Sequence, residues 1–429
     1  MTGAATEILT ADDALYEELY DVEREAVVSG NFIAEDPYPA MNALRGKAPI
    51  QNGLLRELMG LPPYQRNAAL RGRPGYACLG FDVCMQAFRD NQNLSNASYH
   101  MSSTPEKTLG FLEMDDPEHQ AYRAAVQVLF QQSRAQTWWR EQWIDTLVDG
   151  LVANLQGKGR AELNMQLCAR LPVHTITRAM GMRGDDALQF REALVHSMGN
   201  RGGPAAQVAA LAKAERMLTD LVARRRAEPD DDPISWLIAT EVDMPGEGPR
   251  PLTEPEMVVI AKLLLLAGGG TTWRQLGIVL FALMTHRDQF ADVKADRSLI
   301  EAAVQESVRW NPTNPVFGRL AVADVELGGM LIPKGSAVEI CLGAANRDPS
   351  RWENPDAYDL HRRSKPHLGF GFGSHMCLGR NVAASEMSAA INKLLDNFPN
   401  IRIDPDAPPP FITGGLEQRG VSALPVLLT

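Results

Sequence analysis

Apolar positions recur at helical spacing along most of the chain. The pattern predicts helices over residues 11–26, 118–130, 137–155, 163–180, 205–227, 299–310 and 381–398, with another starting at 37–44. The longest run covers residues 253–287. Thr253 and Glu256 form a T-x-x-E capping box there, Pro255 sits in the first turn, and His286 and Arg287 bring positive charge to the far end. Nearly every position between is apolar. A helix of about 50 Å that is apolar on all sides is either a membrane span or the spine of a large domain. Lys262 and Arg274 interrupt the run, and 18 consecutive apolar residues occur nowhere, so a spine is expected. Its middle is odd. Gly268, Gly269 and Gly270 each cost about 1 kcal/mol relative to alanine in a helix interior. Either the helix breaks there or something must come close to its backbone.

Strand signals are fewer. A short strand is expected near residues 76–79, and residues 319–342 alternate, with turns at Gly328-Gly329 and Lys334-Gly335. Residues 228–233 (EPDDDP) read as an acidic turn, and residues 346–367 as a long irregular stretch. The expectation is a mainly α fold with a minor β region (α+β). With no linker visible, residues 1–429 are expected to form one domain, with an N-terminal extension over residues 1–35.

Composition narrows the function. The chain of 429 residues is 45% hydrophobic and 22% charged, an ordinary globular balance. A net charge of -11 opposes nucleic-acid binding, which wants a basic surface. The acidic N-terminus lacks a basic-then-apolar leader, so a cytoplasmic location without a membrane anchor is expected. Cys78, Cys84, Cys168, Cys341 and Cys377 contain no C-x-x-C pair, which argues against a zinc site, a disulfide framework or an iron–sulfur cluster.

One cysteine differs from the rest. In HLGFGFGSHMCLGRNVAASE, residues 367–386, glycines 369, 371, 373 and 379 surround Cys377 and a helix follows. A thiolate at a helix N-terminus among exposed amides is stabilised, and is either a nucleophile or a metal ligand. Taken alone, a buried cysteine beside a flexible turn is the plainer reading. The complete pattern F-G-x-G-x-H-x-C-x-G, Phe370 to Gly379, changes that: it resembles the haem-ligand loop of the cytochrome P-450 family. The resemblance makes Cys377 the axial ligand of haem b iron, held in a loop with Phe370, Gly371 and Gly379. The two Gly-x-Gly runs lack the strand-turn-helix unit that a dinucleotide site requires.

Further segments match the same family in order. Glu306 and Arg309, one helical turn apart, are by themselves a candidate surface ion pair; the resemblance makes them a buried bridge supporting the haem loop. The family's third, arginine member falls on Ala357, leaving Arg362 or Arg363 as substitutes. His119 and Arg123, on one helix face, join Arg319 and His375 as implied partners of the haem propionates. AGGGTT, starting at Ala267, resembles the stretch where a central distal helix crosses the haem. Ala267 and Gly268 would leave room for dioxygen, and Thr271 would be the alcohol serving proton delivery; a hydroxyl bonding back to the preceding turn is compatible with that role. The family's acid falls on Gly270, so protons must arrive another way.

The resemblance therefore implies a monooxygenase. It would insert one atom of dioxygen into a hydrophobic small molecule (terpenoid, steroid or aromatic), using electrons from a separate ferredoxin or flavodoxin and its reductase. A monomer is expected. The implied pocket comprises Leu264, Leu265, Pro315, Val316 and Phe317, with residues 96–109 and the neighbourhood of Met198 completing it. The alternatives are a peroxide-using or dehydrating haem-thiolate enzyme, and a haem sensor.

Overall fold

The computed structural model describes residues 16, 20–64, 70–96, 110–198 and 203–429. Its organising element is the central helix Glu254–Thr285, which starts at the Thr253–Glu256 capping box. It stays continuous through the three glycines and is mostly buried. By length and composition it could cross a membrane, but here most of it packs inside the protein. Helices Arg170–Ala179, Gly203–Ala227 and Leu299–Trp310 lie against it.

The glycines are explained first by this packing. A Cβ on Gly268 would stand 3.1 Å from Ile176 Cγ1, and one on Gly269 would stand 3.7 Å from Val173 Cα. The helix Arg170–Ala179 therefore lies where side chains would otherwise project. A side chain at Gly268 would point at Ile176, so helix packing accounts for this glycine. Ala267 is exposed and Gly268 keeps part of its surface.

A five-stranded sheet flanks the helices. Its order is Ile50–Asn52, Gly75–Cys78, Ala337–Ile340, Phe317–Ala321 and Leu94–Ser95, with only the second and third strands parallel. The expected turn at Gly328-Gly329 joins Val325–Leu327 to Met330–Ile332, and both glycines have positive φ.

Several boundaries move. Within the helix expected over residues 11–26, Tyr16 is helical, the chain bends at Tyr20, and a helix Val22–Ser29 follows with the Asp21 side chain capping Arg24 N; residues 11–15 and 17–19 lie outside the described set. Two expected helices contain π-helical stretches, Ala135–Ile144 and Asn164–Cys168. Helices Phe81–Arg89, Asp186–Met198 and Arg287–Ala295, and the hairpin Glu241–Met244 with Gly248–Pro251, were not anticipated. The N-terminal segment packs inward: Tyr16 and Tyr20 are fully buried in a cluster with Val173, Leu188 and Trp273.

Candidate cofactor site

The loop carrying Cys377 is built by its own backbone and by what lies behind it. Gly371 N donates to Leu368 O at 2.8 Å, and Cys377 N donates to Phe370 O at 2.8 Å. Gly371 and Gly373 have φ of 72° and 74°, the left-handed region that favours glycine. A Cβ on Gly373 would also stand 2.6 Å from Phe88 O, so this glycine fits for two reasons. The helix Arg380–Asn397 follows, with Gly379 at its N-cap, and a Cβ on Gly379 would meet nothing within 4 Å.

Cys377 is the one cysteine with open surface; the other four are buried. Burial raises Cys78 to about 12, a thiol with no reactive role. Desolvation also pushes the Cys377 thiol up, opposed by the amides of Gly379 and Arg380 and by the charges of Arg123 and Arg380. The exposed sulfur thus has amides and guanidinium groups beside it ready to stabilise a thiolate.

The predicted anion-binding residues converge beside this loop. The rings of His119 and His375 stack at 3.7 Å between centroids. His119 Nδ1 is 2.9 Å from Asp116 Oδ1, and Arg123 Nη2 donates to Met376 O at 2.6 Å. Burial lowers the pKa of both imidazoles. His375 falls to about 3, and the neighbouring charges of His119, Arg319 and Arg123 add to the effect. The Nε2 atoms of both histidines are buried and find no hydrogen-bond partner among the described residues. Two orphaned imidazole nitrogens beside two arginines form a cradle for an anionic group. The donor set, the open thiol and the clear space at Gly379 fit a haem with its propionates.

The support behind the loop is a saturated arginine. Arg309 is 2% exposed and uses every N–H: Nε and Nη2 grip both Glu306 oxygens at 2.7 and 2.8 Å, Nη1 serves Asn346 O and Pro355 O, and Nη2 also serves Ala357 O. Asn346 passes this order onward, because its Oδ1 accepts from Leu368 N at 2.7 Å, where the loop begins. Glu306 and Arg309 thus form a buried bridge. Of the two candidate third members, Arg362 is the one that reaches Glu306, at 3.2 Å. Sequence reasoning missed Asn346 and Asp116, because short polar side chains at irregular spacing give no signal.

On the central helix, Leu266, Ala267, Gly268 and Thr271 keep open surface within an otherwise buried run. Thr271 Oγ1 donates to Ala267 O at 3.1 Å, the back-bond anticipated for it. Leu264 and Leu265 are 6% and 3% exposed and belong to the main core, so the open face lies one or two residues further on. Pro315 is buried, while Val316 and Phe317 are partly buried. Residues 97–109 and the Met198 side chain fall outside the described residues. Gly270 faces Arg191, a residue that no local pattern flagged.

A cysteine-centred loop of this geometry, braced by a buried glutamate–arginine pair and accompanied by an anion cradle, defines a haem-thiolate protein. Residues 205–422 match the family model described as Cytochrome P450. The chain is similar to a vitamin D(3) 25-hydroxylase of Pseudonocardia autotrophica, 31% identical over 95% of this chain and 97% of the relative. It is also similar to the cytochrome P450 monooxygenase PikC of Streptomyces venezuelae, 30% identical with 92% of each chain covered. Among solved structures, the Bacillus subtilis cytochrome P450 PksS superposes with a TM-score of 0.79 at 26% identity, covering 92% of this chain and 97% of that one. The chain belongs to the cytochrome P450 family. It is an oxidoreductase of the monooxygenase type with haem b as cofactor, and the family works with dioxygen and a redox partner.

Proposed function

We propose that residues 1–429 form one catalytic domain, with residues 1–35 as an N-terminal extension. This domain hydroxylates a hydrophobic small molecule, of terpenoid, steroid or aromatic type, in the cytoplasm. The observation that carries the reading is the open, amide-flanked Cys377 thiol beside the orphaned nitrogens of His119 and His375. Similarity over nearly the whole chain to a protein named vitamin D(3) 25-hydroxylase supports a bulky apolar substrate.

When bound, haem would supply dioxygen activation, which a thiolate ligand promotes by electron donation. The chain's own residues do the rest. Cys377 would hold the haem iron through Sγ, steadied by the Gly379 and Arg380 amides. His119, His375, Arg123 and Arg319 would hold the propionates. His119 holds Asp116 through Nδ1, so it offers a donor at Nε2 only when its ring is protonated. An anionic partner at Nε2 would therefore draw a proton onto it. Leu266 and Ala267, with Val316 and Phe317, supply apolar walls that exclude water. Thr271 holds its hydroxyl proton against Ala267 O, from where the hydroxyl can turn to donate.

Electrons would come from a separate ferredoxin or flavodoxin with its reductase, and the enzyme would act as a monomer. The test is a panel of steroids, terpenoids and aromatics scored for conversion of the haem spectrum from low to high spin. If only polar compounds shifted the spectrum, the substrate class would be wrong. One observation favours a second reading, a peroxide-using or dehydrating enzyme: residue 270 has no carboxylate and faces a guanidinium. Turnover that needs no reduced pyridine nucleotide or donor protein would support that reading.

A further inference from the structure

One uncharged polar side chain stands in the apolar second half of the central helix. Gln275 lies one turn after Thr271 and is buried. Burying a primary amide is costly unless its groups are bonded, and here both ends are. Its Oε1 accepts from Thr313 N and from Thr313 Oγ1, each at 3.1 Å, and its Nε2 donates to Ser307 Oγ at 3.1 Å. The partners fix which way the amide points. A backbone N–H can only donate, so the carbonyl oxygen faces Thr313. Ser307 gives its own proton to Val304 O at 2.7 Å, which leaves a lone pair for the Gln275 NH2 group. Ser307 and Thr313 are buried as well.

These bonds hold the segment that leads into the apolar wall. Residues 311–316, between the helix Leu299–Trp310 and the strand Phe317–Ala321, carry no helix or strand, so no ladder of their own sets their course. Side chains and neighbouring backbone do so instead. Thr313 O accepts from Arg419 N at 2.8 Å, Asn314 Nδ2 donates to Glu417 O at 2.7 Å, and Pro315 O accepts from Gly343 N at 2.9 Å. Val316 packs against the cluster that contains Leu416, in the turn of the hairpin Ile412–Gly414 with Arg419–Val421. Gln275 is where this assembly meets the central helix. Positions 271 and 275 share one helix face, so the turn that presents the Thr271 hydroxyl also clamps the segment running to Val316 and Phe317.

We propose that Gln275 is a positioning residue for ligand selectivity. Through Thr313 it sets how far Val316 and Phe317 stand from the open surface at Ala267 and Thr271, and hence how closely an apolar ring is gripped between them. Gln275 itself touches no ligand. The proposal rests on the reading that Val316 and Phe317 wall the site, and the test separates the two.

The probes are imidazole and 4-phenylimidazole, titrated into the haem-loaded, full-length protein and followed by the haem spectrum. Both bind iron through nitrogen, but only the second carries a ring that reaches the walls, so the ratio of their Kd values reports the walls and cancels effects on the haem. Gln275→Met keeps the bulk and removes all three bonds. It should cut the advantage of 4-phenylimidazole by about fourfold, the worth of one methylene contact, with the reduced carbon monoxide band retained. Thr313→Val, which keeps the backbone bond, should change the ratio less but in the same direction. Ser307→Ala removes the other partner, leaves both Thr313 bonds, and should leave the ratio unchanged. An equal change in Ser307→Ala would show general loosening of the core and overturn the proposal. Val316→Ala tests the wall itself. A ratio altered in Val316→Ala but unaltered in Gln275→Met overturns the proposal and leaves the wall in place; a ratio unaltered in both overturns the wall and the proposal with it. Should Gln275→Met take up no haem, Thr313→Val carries the same comparison, and an unaltered ratio there overturns the proposal.

Discussion

Glu386 lies in the helix that follows the ligand loop, is 4% exposed, and makes a hydrogen bond with Thr175. Burial raises its pKa from 4.5 to about 8. The Thr175 hydroxyl also lies 2.9 Å from Leu171 O, so its proton is shared between two acceptors. The hydrogen bond with Thr175 opposes the shift, but burial outweighs it. Because the folded pKa is raised, the folded state keeps a proton that the unfolded chain releases. Stability is therefore full below about pH 4.5 and falls as pH rises toward about 8. At pH 7 the cost of holding that proton is 1.36 kcal/mol for each pH unit above 4.5, or about 3 kcal/mol. Glutamine keeps the shape and stays neutral. Glu386→Gln should accordingly stabilise the protein by about 3 kcal/mol at pH 7 and by less than about 1 kcal/mol at pH 5. Denaturant unfolding of both proteins at the two pH values, at matched haem loading, measures the difference. Parallel stability curves would show that Glu386 is ionised in the fold and would refute the reasoning.

Cys377→His should abolish the long-wavelength band of the reduced carbon monoxide complex while retaining some haem, and an unchanged band would exclude Cys377 as ligand. Glu306→Ala leaves Arg309 charged and buried, a loss of roughly 3–5 kcal/mol, and should yield mostly haem-free protein by absorbance ratio. Arg362→Ala removes the more exposed member of the same network and should cost less, with haem content preserved. Gly270→Asp places a carboxylate beside Arg191 and removes a helix glycine worth about 1 kcal/mol. It should keep the haem spectrum and raise product formed per electron pair consumed, most clearly when combined with Arg191→Gln, which frees the acid from its ion pair; lower coupling in both proteins would count against a missing proton donor.

The features legible in the sequence were those encoded by contiguous residues. The capping box fixed the start of the central helix, and the spacing of Glu306 and Arg309 within one turn sufficed for their bidentate pairing. The strands of two to five residues, such as Leu94–Ser95 and Arg402–Ile403, were too short for any alternation to register. The face of the central helix was illegible for a different reason. A helix that is apolar on every side carries no phase, so nothing local distinguishes Leu264 and Leu265, which sit in the core, from Leu266 and Ala267, which keep open surface. That distinction is made by what the surrounding elements leave uncovered. The same holds for the glycines: Ile176 and Val173 close over Gly268 and Gly269, and Arg191 stops beside Gly270. Three identical residues in a row thus meet three different surroundings, one of them charged. The charge matters because Arg274, on the same helix, needs Glu25 from the N-terminal segment as its counter-ion. An arginine inside an apolar run reads locally as an interruption of a spine. In the folded chain it is the point where the spine is tied to the N-terminus.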